Sequence, residues 1–241
     1  MTIPAIEREL LDTPGDLQPR PHANCYWLLP GQLLAGEHPG AMDALNGIAR
    51  IEALLDAGVR QYIDLADERE GPAPYVPILF ERAAARDIRV AHRRFAMPDF
   101  GVPSAALMRT TLDTIYDAIG AGAIPYVHCW GGIGRTGTVV GCQLREQGFS
   151  AVEALAVLER KWLSMEKRAR HPRSPETAAF TRDGRADRVH RTVAGRLARR
   201  ARDLVKLQGN VGDASVSSVR LRTVYHRRLK NRLEPAPRHA Q

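Results

Sequence analysis

Residues 123–147 most constrain what this chain can fold into. An apolar run, Ala123-Ile124-Pro125-Tyr126-Val127, reads as a short buried strand. A helical pattern follows from Arg135 to Gln147. Between them lies His128-Cys129-Trp130-Gly131-Gly132-Ile133-Gly134, a loop with three glycines that a cysteine opens. Arg135 closes it, with five residues between it and Cys129.

That spacing suits the capture of a phosphate beside a thiolate. Glycine lets the backbone curl so that successive N–H groups turn inward. Inward N–H groups form an anion-binding nest, and the N-terminus of the following helix points at the same place. Arg135 can fold back and grip two phosphate oxygens with its planar fork. The same positive field would favour the thiolate of Cys129. A thiolate held under a phosphoryl group is an activated nucleophile. A buried small hydrophobe ending a strand is the plain alternative for a lone cysteine, but the whole run of residues fits one pattern.

The stretch His128-Cys129-Trp130-Gly131-Gly132-Ile133-Gly134-Arg135-Thr136-Gly137 resembles the H-C-x-x-G-x-x-R-[ST]-G loop of the cysteine-dependent protein-tyrosine-phosphatase superfamily. It looks most similar to the small dual-specificity-like members of bacterial type. The resemblance covers about residues 22–177. It implies that Cys129 is the phosphocysteine nucleophile and that Trp130, Gly131, Gly132, Ile133, Gly134 and Arg135 bind phosphate. It implies also that the Thr136 hydroxyl helps the thiolate leave, and that His128 supports the loop and thiolate without moving protons itself.

A chain of 241 residues allows one domain with an appendage. No apolar run approaches the length of a membrane span, and no secretory signal is expected at the N-terminus. Cys25, Cys129 and Cys142 are odd in number and far apart, which points to a reducing, cytoplasmic setting rather than a disulfide framework. Cysteine and histidine are not clustered at metal-ligand spacing, so no metal and no cofactor is expected. Residues 178–241 hold 16 basic and 5 acidic residues, a net of +11, so the whole-chain +8 leaves −3 for residues 1–177. The basicity belongs to the tail and says nothing about the pocket.

In chain order, residues 1–21 carry four prolines and read as an extended lead-in. Cys25–Leu29 and Gln32–Gly36 flank a Pro30-Gly31 turn as two strands. Leu45, Ile48, Ile51, Leu54 and Leu55 recur at helical spacing, and Gly58 stops that helix. Gln61–Leu65 is a strand, Asp67–Glu70 a charged loop, Tyr75–Arg86 a helix, and Ile88 begins another strand. Ser104 caps a helix lined by Leu107, Met108, Leu112, Ile115, Tyr116 and Ile119. Ser150 and Glu153 form a capping box for a helix whose apolar face is Ala151, Leu155, Leu158, Trp162 and Met165. Strands alternating with helices imply an α/β fold with a mainly parallel central sheet flanked by helices. The Cys129 loop then sits at a strand's carboxyl end, where such sheets bind ligands.

Displacing an alcohol or phenol oxygen from phosphorus is far easier if that oxygen is protonated in the transition state. Asp99, in the turn-rich stretch Met97–Ser104, stands one helix and one strand before Cys129. It could donate that proton and later activate water, and the stretch resembles the family's general-acid loop. An Asx-turn is the alternative. Asp113 and Asp117 belong on a solvated helix face. Asp67 and Glu68 could line the pocket mouth, though a solvated loop is the plainer reading. Glu176 falls where relatives orient water with glutamine, and a plain loop suits it better. Cys25 and Cys142 read as core, and Trp130 as pointing outward from its loop.

A phosphoinositide pocket would call for lysines within the Cys129 loop, and none stands there. The expected substrates are therefore phosphoprotein monoesters, phosphotyrosine first, with phosphoserine and phosphothreonine open. The tail's basic stripe around Val189, Val193, Leu197, Leu204 and Leu207 suits acidic partners, against the plainer reading of a solvated or disordered extension. Two other functions stay open: a phospho-ligand binding module with little turnover, and an RNA 5′-phosphatase.

Overall fold

A computed structural model describes residues 18–40, 44–70, 74–99 and 101–170. The tail, Ser174 and Glu176 lie outside the described residues, as does most of the lead-in.

Five strands form one sheet: β1 (Cys25–Leu29), β2 (Leu33–Gly36), β3 (Val59–Asp64), β4 (Ala91–Arg94) and β5 (Ile124–His128), in the order β1-β2-β5-β3-β4. Only β1 and β2 pair antiparallel, through the Pro30-Gly31 turn; β2, β5, β3 and β4 run parallel. The central strand β5 is buried along its whole length, as a strand covered on both faces must be. Pro125 within it has no N–H for the ladder. The register of β3 shifts between Val59 and Gln61, opposite that proline.

The helices are α1 (Ala44–Asp56), α2 (Val76–Ala84), α3 (Ala105–Gly120), α4 (Gly134–Glu146) and α5 (Ala151–Leu163), followed by a 3₁₀ turn at Glu166–Ala169. Ile51, Leu54 and Leu55 of α1 and Leu79 of α2 pack with Trp27, Tyr62, Tyr75 and Tyr126 in one buried cluster. Each such side chain taken from water contributes about 1.5–3 kcal/mol. On the remaining helices, Met108, Leu112 and Ile115 of α3, Val139 and Val140 of α4, and Val157 and Trp162 of α5 are buried. The Ser104 cap is present, with its hydroxyl accepting from the Leu107 N–H at 3.2 Å. The capping box of Ser150 and Glu153 closes both of its hydrogen bonds.

Three local expectations need correction. The strand expected from Ile88 starts at Ala91, because the Ile88 N–H instead closes onto the Ala83 carbonyl at 2.9 Å, after Asp87 turns at φ 52°. Leu45 opens α1 exposed, before the helix reaches the core. The buried stripe of α5 is Ala154, Val157, Lys161 and Trp162, offset from the expected one because this helix docks chiefly on α4 and only in part on β1.

Parallel strands put the segments that follow β2, β3, β4 and β5 at one edge. The ladder continues past the strands: Leu65 N–H donates to the His128 carbonyl at 2.8 Å, Phe95 N–H to Asp64 at 2.7 Å, and Met97 N–H to Leu65 at 3.0 Å. Residues far apart in sequence converge there.

Candidate active site

β5 ends at His128, Cys129 follows at 2% exposure, and α4 begins at Gly134. Gly132 adopts φ +72°, which bends the loop. A Cβ on Gly132 would lie 2.4 Å from the Gly36 carbonyl carbon and 2.5 Å from the Glu37 nitrogen, so the loop rests directly on the 36–37 peptide. Its carbonyls face away: that of Trp130 accepts the His38 N–H at 3.1 Å, and that of Gly131 the Lys167 ammonium at 3.3 Å. Among the described residues the N–H groups of residues 130–136 have no acceptor. Together with the amino end of α4 they form a concave row of donors.

Arg135 and Thr136 stand in the first turn of α4, both buried. Glu70 grips the Arg135 guanidinium bidentately, at 2.9 Å to Nη1 and 2.6 Å to Nη2. Nη1 also reaches the Met97 carbonyl at 3.4 Å, and Asp99 lies 3.3 Å from Nη2. Burial works against the arginine's charge, but Glu70 above all, then Cys129 and Asp99, outweigh it and raise its pKa. Arg135 Nε and Thr136 Oγ1 are buried with no hydrogen-bond partner among the described residues. Leaving such groups unmade in a closed core costs about 1–3 kcal/mol each. A tetrahedral oxyanion held by the loop would satisfy Arg135 Nε.

His128 lies fully buried beneath Cys129, its Nε2 2.7 Å from the Tyr75 hydroxyl and its Nδ1 3.8 Å from Asp64. Burial pushes its pKa down to about 3, so the ring is neutral at physiological pH. Burial also opposes ionisation of Asp64. The His92 ring, His128, the Ala66 N–H at 3.0 Å and Arg94 at 3.1 Å together hold it well below the usual carboxylate range. With His128 neutral, the His92 ring, the Ala66 N–H and Arg94 carry that effect. Trp130 is 41% exposed and leans on the His38 ring at 5.5 Å. Cys25 and Cys142 are buried, and burial pushes the Cys142 thiol up to about 12.

The structure thus brings Cys129, Arg135, Thr136, His128 and Asp99 to one edge of the sheet, with Asp99 half-exposed at the rim. Asp113 and Asp117 lie exposed on α3. Asp67 is taken by Arg69 and Glu68 is largely solvated. Glu70 lies closer to Arg135 than Asp99 does, with both of its carboxylate oxygens engaged by the guanidinium. Glu70, Tyr75, His38, Glu37 and Lys167 escaped sequence reading. The signal available for Glu70 was a charged loop directly after a strand beside the central one. Among the described residues no group of histidine, cysteine, aspartate and glutamate could hold a metal, and no helix is long and apolar enough to cross a membrane.

A model of the family described as Swiss Army Knife protein, DSP-PTPase phosphatase domain, matches residues 22–189. A mutant form of Tk-PTP superposes with a TM-score of 0.50 at 19% identity, covering 73% of this chain and 97% of that one. TpbA of P. aeruginosa, a cysteine-to-serine variant in complex with pTyr, gives a TM-score of 0.50 at 15% identity, covering 76% and 98%. At those identities the likeness is one of fold.

Proposed function

This chain belongs to the Swiss Army Knife DSP-PTPase phosphatase-domain family, and on that premise we propose that it hydrolyses protein phosphotyrosine through a phosphocysteine intermediate. The carrying observation is the meeting at Arg135 of two separate segments, the loop after Cys129 and the loop bearing Asp99. In the first step the Cys129 thiolate attacks phosphorus and the bond to the ester oxygen breaks. Asp99 gives its proton to that leaving oxygen. In the second step a water attacks the phosphocysteine, Asp99 takes a proton from it, the P–S bond breaks and the thiolate returns. Thr136, whose hydroxyl has no other partner among the described residues, donates to the sulfur as it leaves. The loop N–H groups and Arg135 hold the phosphoryl oxygens throughout, where charge builds in the transition state.

Two features support a phosphotyrosine ester over a polyphosphorylated ligand. The loop carries no lysine of its own, and Glu70 adds negative charge beside Arg135. Trp130, half-exposed against His38, offers an aromatic wall at the rim. Phosphoserine and phosphothreonine peptides are the comparison substrates.

The test is hydrolysis of an aryl phosphate, without added metal, by the wild type, Cys129→Ser and Asp99→Asn. Wild-type turnover abolished in Cys129→Ser is expected. Asp99→Asn should fall by about 10²–10⁴, the usual worth of a general acid. A folded, reduced wild type that binds tungstate but turns nothing over would overturn the enzyme reading in favour of a phospho-ligand binding module.

A further inference from the structure

The phosphate loop has a back as well as a front. In a trans peptide the C=O and the N–H of the same unit point in opposite directions. Pinning a carbonyl outward therefore turns the next residue's N–H inward. His38 does this to the Trp130 carbonyl through its own backbone, and so orients the Gly131 N–H. Lys167 does it to the Gly131 carbonyl through its ammonium, and so orients the Gly132 N–H. Gly132 is the residue at φ +72°, a left-handed conformation that glycine adopts without a Cβ penalty.

Lys167 is itself held. Its ammonium pairs with the Glu37 carboxylate, which is only 7% exposed. Its backbone N–H donates to Asn24 Oδ1 at 2.9 Å, and the Asn24 amide donates to Glu37 at 3.0 Å. Arg50 reaches Glu37 at 2.8 Å, and the Tyr126 hydroxyl donates to the Glu37 carbonyl at 2.5 Å. A buried carboxylate with this many donors is fixed in place, and it fixes the lysine in turn. The 36–37 peptide that carries it is also the surface on which Gly132 rests.

We infer that Lys167 is a positioning residue of the phosphate loop: clamped by buried Glu37, it holds the Gly131 carbonyl outward so that the Gly132 N–H faces the bound phosphoryl group. This rests on the loop being the phosphate site, as proposed above. Lys167 touches neither substrate nor sulfur. It acts through the backbone, so its loss should weaken oxyanion binding more than it alters the leaving-group chemistry run by Asp99.

The experiment measures inorganic phosphate and tungstate affinity by calorimetry on the full chain, beside KM and kcat for an aryl phosphate. Lys167→Met leaves Glu37 short of a cation, so its melting point alone says little. Glu37→Gln/Lys167→Met removes that stranded charge and should recover stability. It should still bind tungstate about tenfold more weakly, the worth of one charge-assisted hydrogen bond. KM should rise by a similar factor while the acid limb of the pH–rate profile stays where it is in wild type. Lys167→Arg, which keeps a cation in reach of both Glu37 and the carbonyl, should restore most of the affinity. Wild-type tungstate affinity in the folded double variant would overturn the inference, as would a double variant that Lys167→Arg resembles. Tungstate binding is read without turnover, so a failed enzyme assay would leave this result standing.

Discussion

The two loops that face each other across Arg135 are built differently. Residues 129–135 are contiguous, buried or half-buried apart from Trp130, and pinned behind by His38, Lys167 and the 36–37 peptide. The opposing wall is two separate segments, 67–70 and 97–99, whose acids are partly exposed and reach the site through side chains on one guanidinium. The first wall needs a fixed row of donors, because a donor that must reorganise gives up its electrostatic advantage. On the proposed mechanism the second delivers a proton and then takes one back, so its acid has to be able to move. Substitutions should separate the two walls by what they cost, stability and anion binding in the first, rate in the second.

Arg135→Ala tests the point where they meet, and should have the largest effect. It removes both charge-assisted bonds to an oxyanion, at about 1.5–3 kcal/mol each, and should lower kcat/KM for an aryl phosphate by roughly a hundredfold or more. A loss under tenfold would break the comparison, because Arg135 would then serve structure alone.

Gly132→Ala should show the rigidity of the first wall. The positive φ costs about 1 kcal/mol for alanine, and the new Cβ would press on the Gly36 and Glu37 backbone. Backbone cannot yield as a side-chain end can. A fall of about 2–4 kcal/mol in chemical denaturation, with loss of tungstate binding, is expected. A stable variant that binds normally would mean the loop is not seated on that peptide.

Glu70→Ala probes the second wall and should do less. Its pair with Arg135 lies partly open to solvent, where ion pairs contribute about 1 kcal/mol or less. A fall in kcat/KM of about threefold to tenfold is expected, with the melting temperature nearly unchanged. A collapse as deep as that of Arg135→Ala would show that Glu70 belongs with the rigid wall.

The smallest effect is on pH-dependent stability. Burial lowers the His128 pKa to about 3, and desolvation lowers that of His22 to about 4, against 6.5 unperturbed. A lowered histidine pKa means the unfolded chain binds more protons between those values. Stability is therefore full above pH 6.5 and lost as pH falls toward 3. Urea midpoints at pH 7.5, 6 and 5 should fall in that order, and His22→Gln should flatten the slope. An unchanged midpoint across this range would show that neither ring is held neutral by the fold.

Legibility followed sequence distance. The strand, the glycine loop, Cys129, Arg135 and the start of α4 were readable because their geometry is local: each is placed by backbone preferences within a few residues. The approach of Asp99 to this edge was readable because a general acid would need a carboxyl on a turn-rich loop, and one stood there. Glu70 and Lys167 were not. Glu70 reaches an arginine 65 residues away, and Lys167 a carbonyl 36 residues away. In sequence each is one more charge among charges, indistinguishable from a solvated side chain. The same holds for the offset face of α5, since a helix carries several apolar stripes and only its neighbour selects one.

The amino-acid sequence by itself determined the alternation of strands and helices, the glycine loop between Cys129 and Arg135 and the side of the sheet on which it had to lie. Only the tertiary structure decided which carboxylates meet Arg135, what holds the loop from behind, and which face of each helix is buried. The physical reason is that parallel strands gather every strand-end segment at one edge, and the order of strands in the sheet is set by packing between elements that no local pattern specifies.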